Sequence, residues 1–350
     1  MSERPIRVGL IGLGYAGRTF HVPLIGATEG MAITAVASSQ PDVAAALLPE
    51  AVVVRTAAEL VARDDVDVVV VASPNDSHAP LALAALNADK HVVVEKPFAL
   101  GLEEARTVAE AATRAERLLA VFHNRRWDSD FLSVQAAIAD GAIGDVVHFE
   151  SHFDRFRPMV RDRWRERAEG GGGIWYDLGP HLVDQALLLF GMPERVEASL
   201  AALRPGALAD DWAHVVLHYP GKRIVLQASM LVAGGTARFT VHGTGGSLVK
   251  QRGDQQEAQL LAGMVPGALG WGEDDDPLIL HDGEGARAMT LVRGDQRHFY
   301  RALAAAIRGQ GPNPVPPDEA LGVMAVIEAA IRSADEGRTV PIQTASCATL

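Results

Sequence analysis

The chain has 350 residues, 48 % hydrophobic and 22 % charged, with a formal net charge of −12. This length and balance predict two globular domains with sizeable cores, and the acidic surplus argues against a nucleic-acid partner. No apolar run approaches the ~18 residues of a membrane helix, the N-terminal MSERPIRVGL carries no signal-peptide pattern, and the single Cys347 cannot form an internal disulfide, so a cytoplasmic, reducing location is expected.

The first third alternates strand and helix. Ile6 to Ile11 reads as a strand, followed by a glycine-rich turn and a helix to about Ala27. Strands are then predicted at Ala32 to Ser38, Val52 to Val54, Val66 to Ala72, His91 to Val94 and Leu119 to Phe122. Helices fall at Asp42 to Leu48, Thr56 to Ala62, His78 to Leu86 and Leu102 to Leu118. Alternation of this kind predicts a parallel doubly wound sheet of the Rossmann type over residues 1–123. From residue 124 the pattern changes. A helix over Asp128 to Ile138 precedes longer strands with period-two alternation: Val146 to Phe156, Val196 to Leu203, Trp212 to Tyr219, Ile224 to Leu231 and Phe239 to Gly243. Residues 124–350 are therefore expected to form an α/β domain with a large, mostly antiparallel sheet. Gly263 to Pro277 reads as a loop, and helices return at Gln296 to Ile307 and Pro317 to Ser333.

The turn GLIGLGYAG places Gly12, Gly14 and Gly17 between strand and helix. That context suits a dinucleotide: one glycine for the tight turn, one for close approach of a pyrophosphate, and one for helix–strand packing, with Tyr15 and Ala16 opening the helix toward the phosphates. The acid that an NAD site carries about 20 residues later is absent. Ser38 and Ser39 stand at that strand end, and the first acid is Asp42. Losing the carboxylate removes repulsion against a 2′-phosphate, which favours NADP, with NAD still possible; the alternative is that the serines only end a strand. The strand Val66 to Ala72 runs into Ser73, Pro74 and Asn75, with His78 following, on the edge where strand C-termini face a ligand. These residues are candidates for cofactor contact, or for turn and helix-surface roles.

The sharper question is HVVVEKPFAL, where Glu95, Lys96 and Pro97 end an apolar strand. A lysine at this edge could bond a substrate hydroxyl or carbonyl, or the pair could be a structural ion pair. A second constellation is GGGGIWYDLGPHLVDQALLLFG, Gly170 to Gly191, in which Asp177, His181 and Asp184 fall on or near one helix face. A histidine flanked by carboxylates can take a proton near neutral pH; a capped helix with a core histidine, or a metal site, are the other readings, and the spacing lacks the H-E-x-x-H zinc pattern.

In this order and spacing, the glycine turn, Glu95-Lys96-Pro97, and Asp177-x-Gly179-x-His181-x-x-Asp184 resemble the glucose–fructose oxidoreductase/inositol dehydrogenase (Gfo/Idh/MocA) family nearly end to end. GYAGRTFHVPLI, FHNRRWDSDF and RFRPMVRDRWRE resemble its NADP-dependent scyllo-inositol dehydrogenase branch; where that branch often has an arginine near the end of the second strand, Ser39 stands here. The resemblance implies an oxidoreductase moving hydride between NAD(P) and a secondary alcohol or ketone of a sugar or cyclitol. Lys96, Asp177 and His181 would be its catalytic residues, converging on one substrate. It also implies a homodimer or homotetramer through the C-terminal sheet. Trp164 would cover the nicotinamide. Asn124, Arg125, Arg126 and Trp127 follow the last Rossmann strand near the crevice, so one or two are expected to touch substrate and the others only to brace the domain junction. A cofactor-sensing regulator and a redox-neutral, NAD-using glycosidase are alternatives on the same fold. Two clusters fit bland readings: the arginines from Arg155 to Arg167 as a solvated loop, and His148, Glu150, His152, Asp154, His214 and His218 as a polar sheet face rather than a metal site.

Overall fold

The computed structural model describes residues 4–167 and 169–342; Cys347 lies outside them. The described chain divides into two compact units. The first runs to Ser129 and includes Asp254–Glu273 and Arg293–Ala320; the second comprises Asp130–Gly253, Asp274–Val292 and the chain from Leu321.

The first unit holds six parallel strands: β1 (Ile6–Ile11), β2 (Met31–Ala37), β3 (Val52–Val54), β4 (Val68–Val71), β5 (His91–Val94) and β6 (Leu119–Val121). Their order is β3-β2-β1-β4-β5-β6, so the direction of winding reverses between β1 and β4. Helices α1 (Val22–Gly26), α2 (Pro41–Leu47), α3 (Ala57–Val61), α4 (His78–Asn87) and α5 (Leu102–Arg114) lie between the strands in sequence. All four valines of β4 are fully buried, as are Val92, Val93 and Val94 of β5. Both strands are thus covered on two faces, and each buried valine contributes about 2 kcal/mol of hydrophobic stabilisation. β-branched residues without alternation are what such a position selects. The helix expected to reach Leu118 ends at Arg114, after which Glu116 takes a left-handed φ of 52° that turns the chain into β6.

The second unit carries a nine-stranded sheet built from β7 (Val146–Asp154), β8 (Arg195–Ala201), β9 (Trp212–Tyr219), β10 (Lys222–Ser229), β11 (Phe239–Gly243), β12 (Ser247–Lys250), β13 (Leu278–Asp282), β14 (Gly285–Ala288) and β15 (Val340–Pro341). The order is β14-β13-β12-β11-β7-β10-β9-β8-β15. Every pairing is antiparallel except β7 with β10, which run parallel at the centre. Helices α6 (Ser129–Ala139) and α7 (Ile174–Phe190) precede β7 and β8. Helices α8 (Gln256–Leu261) and α9 (Arg297–Ile307) follow β12 and β14 in the chain and belong to the first unit, and α10 (Pro317–Glu336) runs from the first unit into the second. One sheet face is the core: Ala213, Val215, Leu217, Ile224 and Leu226 are fully buried, and they belong to one cluster with Leu182 and Ile327 of α7 and α10.

The opposite face is polar, as the alternation predicts. His148 Nε2 and His152 Nε2 lie 2.8 Å and 3.1 Å from the two oxygens of Glu150, and His214 Nδ1 lies 2.9 Å from Gln227 Oε1. No group of three or more His, Cys, Asp or Glu side chains among the described residues is arranged to hold a metal ion. Burial disfavours the His152 imidazolium, but hydrogen bonds to Asp154 and Glu150 outweigh it and raise its pKa above 6.5. The stabilisation this brings is complete below 6.5 and disappears as pH rises through the raised value. His152→Gln should therefore remove a slope from the pH dependence of the urea midpoint in that window; an unchanged slope would show that the imidazole is not charged in the folded protein.

Candidate functional site

In the first unit the C-terminal ends of β1, β4 and β5 lie along one sheet edge. Gly12 leaves β1 with a φ of 96°, and its N–H donates to the Ala37 carbonyl at 3.0 Å. A Cβ at Gly12 would lie 2.4 Å from the Ala72 carbonyl oxygen, and one at Gly17 would lie 2.4 Å from the Gly12 carbonyl oxygen. Both glycines are required by close backbone packing. Gly14 differs: a Cβ there would meet no atom within 4 Å. The backbone at Gly14 faces open space where a side chain would stand, which is the room a pyrophosphate needs. The chain continues as the π-helical stretch Gly17–His21 directly into α1. Arg18, whose position the sequence leaves open, folds back so that its Nε lies 3.5 Å from the Gly14 carbonyl oxygen. Tyr15 is half exposed, and its hydroxyl donates to Glu257 of α8 at 2.7 Å; Arg125 Nη2 donates to the other Glu257 oxygen at 2.8 Å.

Ser38 is buried, and its hydroxyl oxygen accepts the Gln40 N–H at 3.0 Å; Ser39 is exposed. At the end of β4 the Ser73 and Ser77 hydroxyls lie 2.6 Å apart and Asn75 is buried. His78 joins this turn to the next strand end, with Nδ1 2.7 Å from the Pro97 carbonyl oxygen and Nε2 3.0 Å from that of Ser73. Burial pushes its imidazole below the ordinary range, against the pull of those carbonyls and of Glu95. A neutral ring donates from one nitrogen at a time, so His78 bonds one of these two carbonyls and packs its other nitrogen against the second. Glu95 is buried, and Lys96 donates its backbone N–H to Glu95 Oε2 at 3.0 Å before a cis peptide bond to Pro97.

After β6, Asn124 and Arg126 are both buried. Asn124 Nδ2 donates to Gln296 Oε1 at 3.1 Å; Arg126 Nη1 donates to Glu319 Oε2 at 2.6 Å and to the Pro314 carbonyl at 3.2 Å. These contacts brace the first unit from within.

In the second unit, α7 carries Asp177, His181 and Asp184 together. Two of the four glycines before it are required by close contacts: a Cβ at Gly172 would lie 1.8 Å from the Arg167 carbonyl oxygen, and one at Gly173, with φ 95°, would lie 2.1 Å from Asp210 Oδ1. Asp210 caps the helix from outside. Its Oδ2 accepts the Trp175 N–H at 2.7 Å and its carbonyl accepts the Ile174 N–H at 2.8 Å. Gly179 exists because the Trp175 ring would lie 2.7 Å from a Cβ there. His181 and Asp184 are buried, and Asp177 is partly exposed.

The arginine-rich segment is anchored rather than loosely solvated. Glu166 receives Arg204 at 2.5 Å and Arg163 at 3.1 Å, while Arg204 also pairs with Asp211 at 2.8 Å. Arg204 Nη1 further donates to the carbonyls of Arg157 and Met159. Arg165 stacks on Trp164 at 4.5 Å and places its Nε 3.6 Å from Asp177 Oδ1, with Arg155 Nη1 4.0 Å from Asp177 Oδ2. Sequence reading missed Arg204, Asp210 and Asp211 because they lie on the far side of β8 in the chain, with only the short DDW run as a signal.

Residues 6–123 match the description "Oxidoreductase family, NAD-binding Rossmann fold", and residues 135–342 match "Oxidoreductase family, C-terminal alpha/beta domain", the two parts of the Gfo/Idh/MocA family. The chain is 48 % identical over 344 residues to the uncharacterized oxidoreductase YdgJ of Escherichia coli K12, covering 97 % of this chain and 99 % of that one. It is 35 % identical to the scyllo-inositol 2-dehydrogenase (NADP(+)) IolW of Bacillus subtilis 168, covering 97 % and 96 %. A crystal structure from Klebsiella pneumoniae, 52 % identical, superposes with a TM-score of 0.93 over 98 % of this chain and 97 % of that one.

The cap on α7 yields a direct test. Asp210→Ala should lower unfolding free energy by about 1–2 kcal/mol, read from urea midpoints at constant slope. A loss below about 0.3 kcal/mol would mean that Asp210 contributes little to the helix start.

Proposed function

The chain belongs to the Gfo/Idh/MocA family of NAD(P)-dependent oxidoreductases, and from that premise we propose that it oxidises a secondary alcohol of a cyclitol or sugar with NADP, reversibly. The observation that carries this reading is the pairing, on one sheet edge, of open space over Gly14 with Lys96 clamped at the end of β5. Residues 1–123 hold the cofactor and residues 124–350 hold substrate. Asn75, Ser73 and Pro74 line the cofactor side, and Trp164 covers the nicotinamide. NADP is preferred because no carboxylate stands at the end of β2, where Ser38 and Ser39 leave room for a 2′-phosphate. The name of the Bacillus subtilis relative supports both the cofactor and the substrate class.

When bound, the nicotinamide accepts the hydride. This chain's residues do the rest. His181 takes the hydroxyl proton as general base, and Lys96 stabilises the developing alkoxide by charge and hydrogen bonding. Asp177 orients the substrate or the imidazole, its own carboxylate held between Arg155 and Arg165. The polar face of the nine-stranded sheet serves self-association into a dimer or tetramer. A regulator that only senses cofactor has no need of Lys96, Asp177 and His181, so their presence together favours an enzyme.

A panel of inositols and aldoses assayed with NAD and NADP tests the reading. Wild type should reduce NADP with at least one cyclitol. Lys96→Met should lose roughly 10²- to 10⁴-fold in kcat while binding NADP normally by fluorescence titration. Undiminished turnover in that variant would remove Lys96 from the chemistry.

A further inference from the structure

His21, Glu95 and Tyr300 form a buried chain of hydrogen bonds that ends at Lys96. The π-helical stretch delivers His21, α9 delivers Tyr300, and the end of β5 delivers Glu95. His21 Nδ1 lies 2.5 Å from the Tyr300 hydroxyl, His21 Nε2 lies 3.0 Å from Glu95 Oε1, and Glu95 Oε2 accepts the Lys96 N–H at 3.0 Å. His21 and Tyr300 have no exposed surface, and Glu95 is only 7 % exposed. Phe122 closes over the imidazole with ring centres 4.4 Å apart, and Phe299 packs on Phe122 at 4.9 Å. A carboxylate in such a sheath survives only if its charge is answered by hydrogen bonds.

The charges are arranged to keep it ionised. Burial pushes the Glu95 carboxyl up, but the hydrogen bond from His21 and the positive charge of Lys96 outweigh this and hold it below the ordinary carboxylate range. Burial, aided by the Glu95 charge, pushes the Tyr300 phenol well above its ordinary value, so it keeps its proton. The phenol O–H then donates to Nδ1 and the Nε2–H donates to Glu95, one proton per link. We infer that His21 is a positioning residue for Lys96: acting through Glu95, and itself held by Tyr300, it maintains the negative charge beside the ammonium and fixes the backbone from which that side chain leaves. The inference rests on the role proposed for Lys96.

His21→Leu leaves the Glu95 carboxyl without its side-chain donor, so that carboxyl should protonate at a higher pH. The acid limb of kcat should move up by a pH unit or more, with about tenfold loss on its acid side and recovery at higher pH, while NADP affinity measured by fluorescence stays near wild type. His21→Gln, which keeps a donor toward Glu95, should restore the wild-type limb. Infrared spectra of the cofactor-free protein give a readout that needs no turnover. His21→Leu should show a protonated-carboxyl stretch at neutral pH that is absent from wild type and lost again when Glu95→Gln is added. If His21→Leu does not fold, Tyr300→Phe carries both arms, with a smaller move in the same direction. An acid limb unmoved in every folded variant, or no new carboxyl band, overturns the inference; turnover that survives Lys96→Met instead overturns the role of Lys96 and leaves the infrared result standing.

Discussion

A carboxylate buried at the tip of an apolar strand is the constraint around which the first unit is organised. Leaving an ionised group there without partners costs several kcal/mol, and Glu95 is provided with two. His21 supplies a side-chain donor, and the next residue supplies its backbone N–H. The strand must end where it does, because one residue further the apolar sheath would have to take an ammonium group as well. The turn that follows packs on His78, whose two ring nitrogens face the carbonyls of Ser73 and Pro97 and which donates to one of them. Lys96 therefore leaves a backbone held in place on the same sheet edge as the turn where Gly14 faces open space. Rigidity of this kind is what a group needs if it is to meet charge that develops only in a transition state.

The second unit solves a different problem by similar means. A long helix begins after four glycines, a stretch with no side chains to hold it. Asp210, placed by the approach to β9, supplies the missing anchor at the helix start. Arg204 then binds Glu166 and Asp211 and ties the arginine-rich segment down, which brings Arg155 and Arg165 beside Asp177. The carboxylate that the family resemblance assigns to substrate thus lies among cations.

Much of this was legible in the sequence, for physical reasons that can be named. Val68–Val71 and His91–Val94 read as strands because a doubly covered strand selects uninterrupted β-branched residues. Gly12 was legible as the turn glycine and Gly17 as the packing glycine, and the structure gives Gly12 a φ of 96° and places backbone carbonyls where the side chains of both would stand. What stayed hidden depends on contacts across the chain. His21 and Tyr300 are 279 residues apart, and although His21 falls within GYAGRTFHVPLI, nothing in that stretch points to its buried partners. The edge strands β12 to β14 and α8 were missed because they are short, and because β14 is exposed throughout and has no buried face to impose alternation. The parallel pairing of β7 with β10 was equally invisible, since alternation does not record strand direction.

Transfer of isotope is the most direct test of the central claim that this chain moves hydride from a cyclitol carbon to a nicotinamide. A cyclitol deuterated at its carbinol carbons should pass one deuterium to NADP, recovered in the reduced cofactor by mass spectrometry, with slower turnover than the unlabelled compound. Product formed while the cofactor remains unlabelled, or labelled cyclitol recovered unchanged beside bound NADP, would contradict the account.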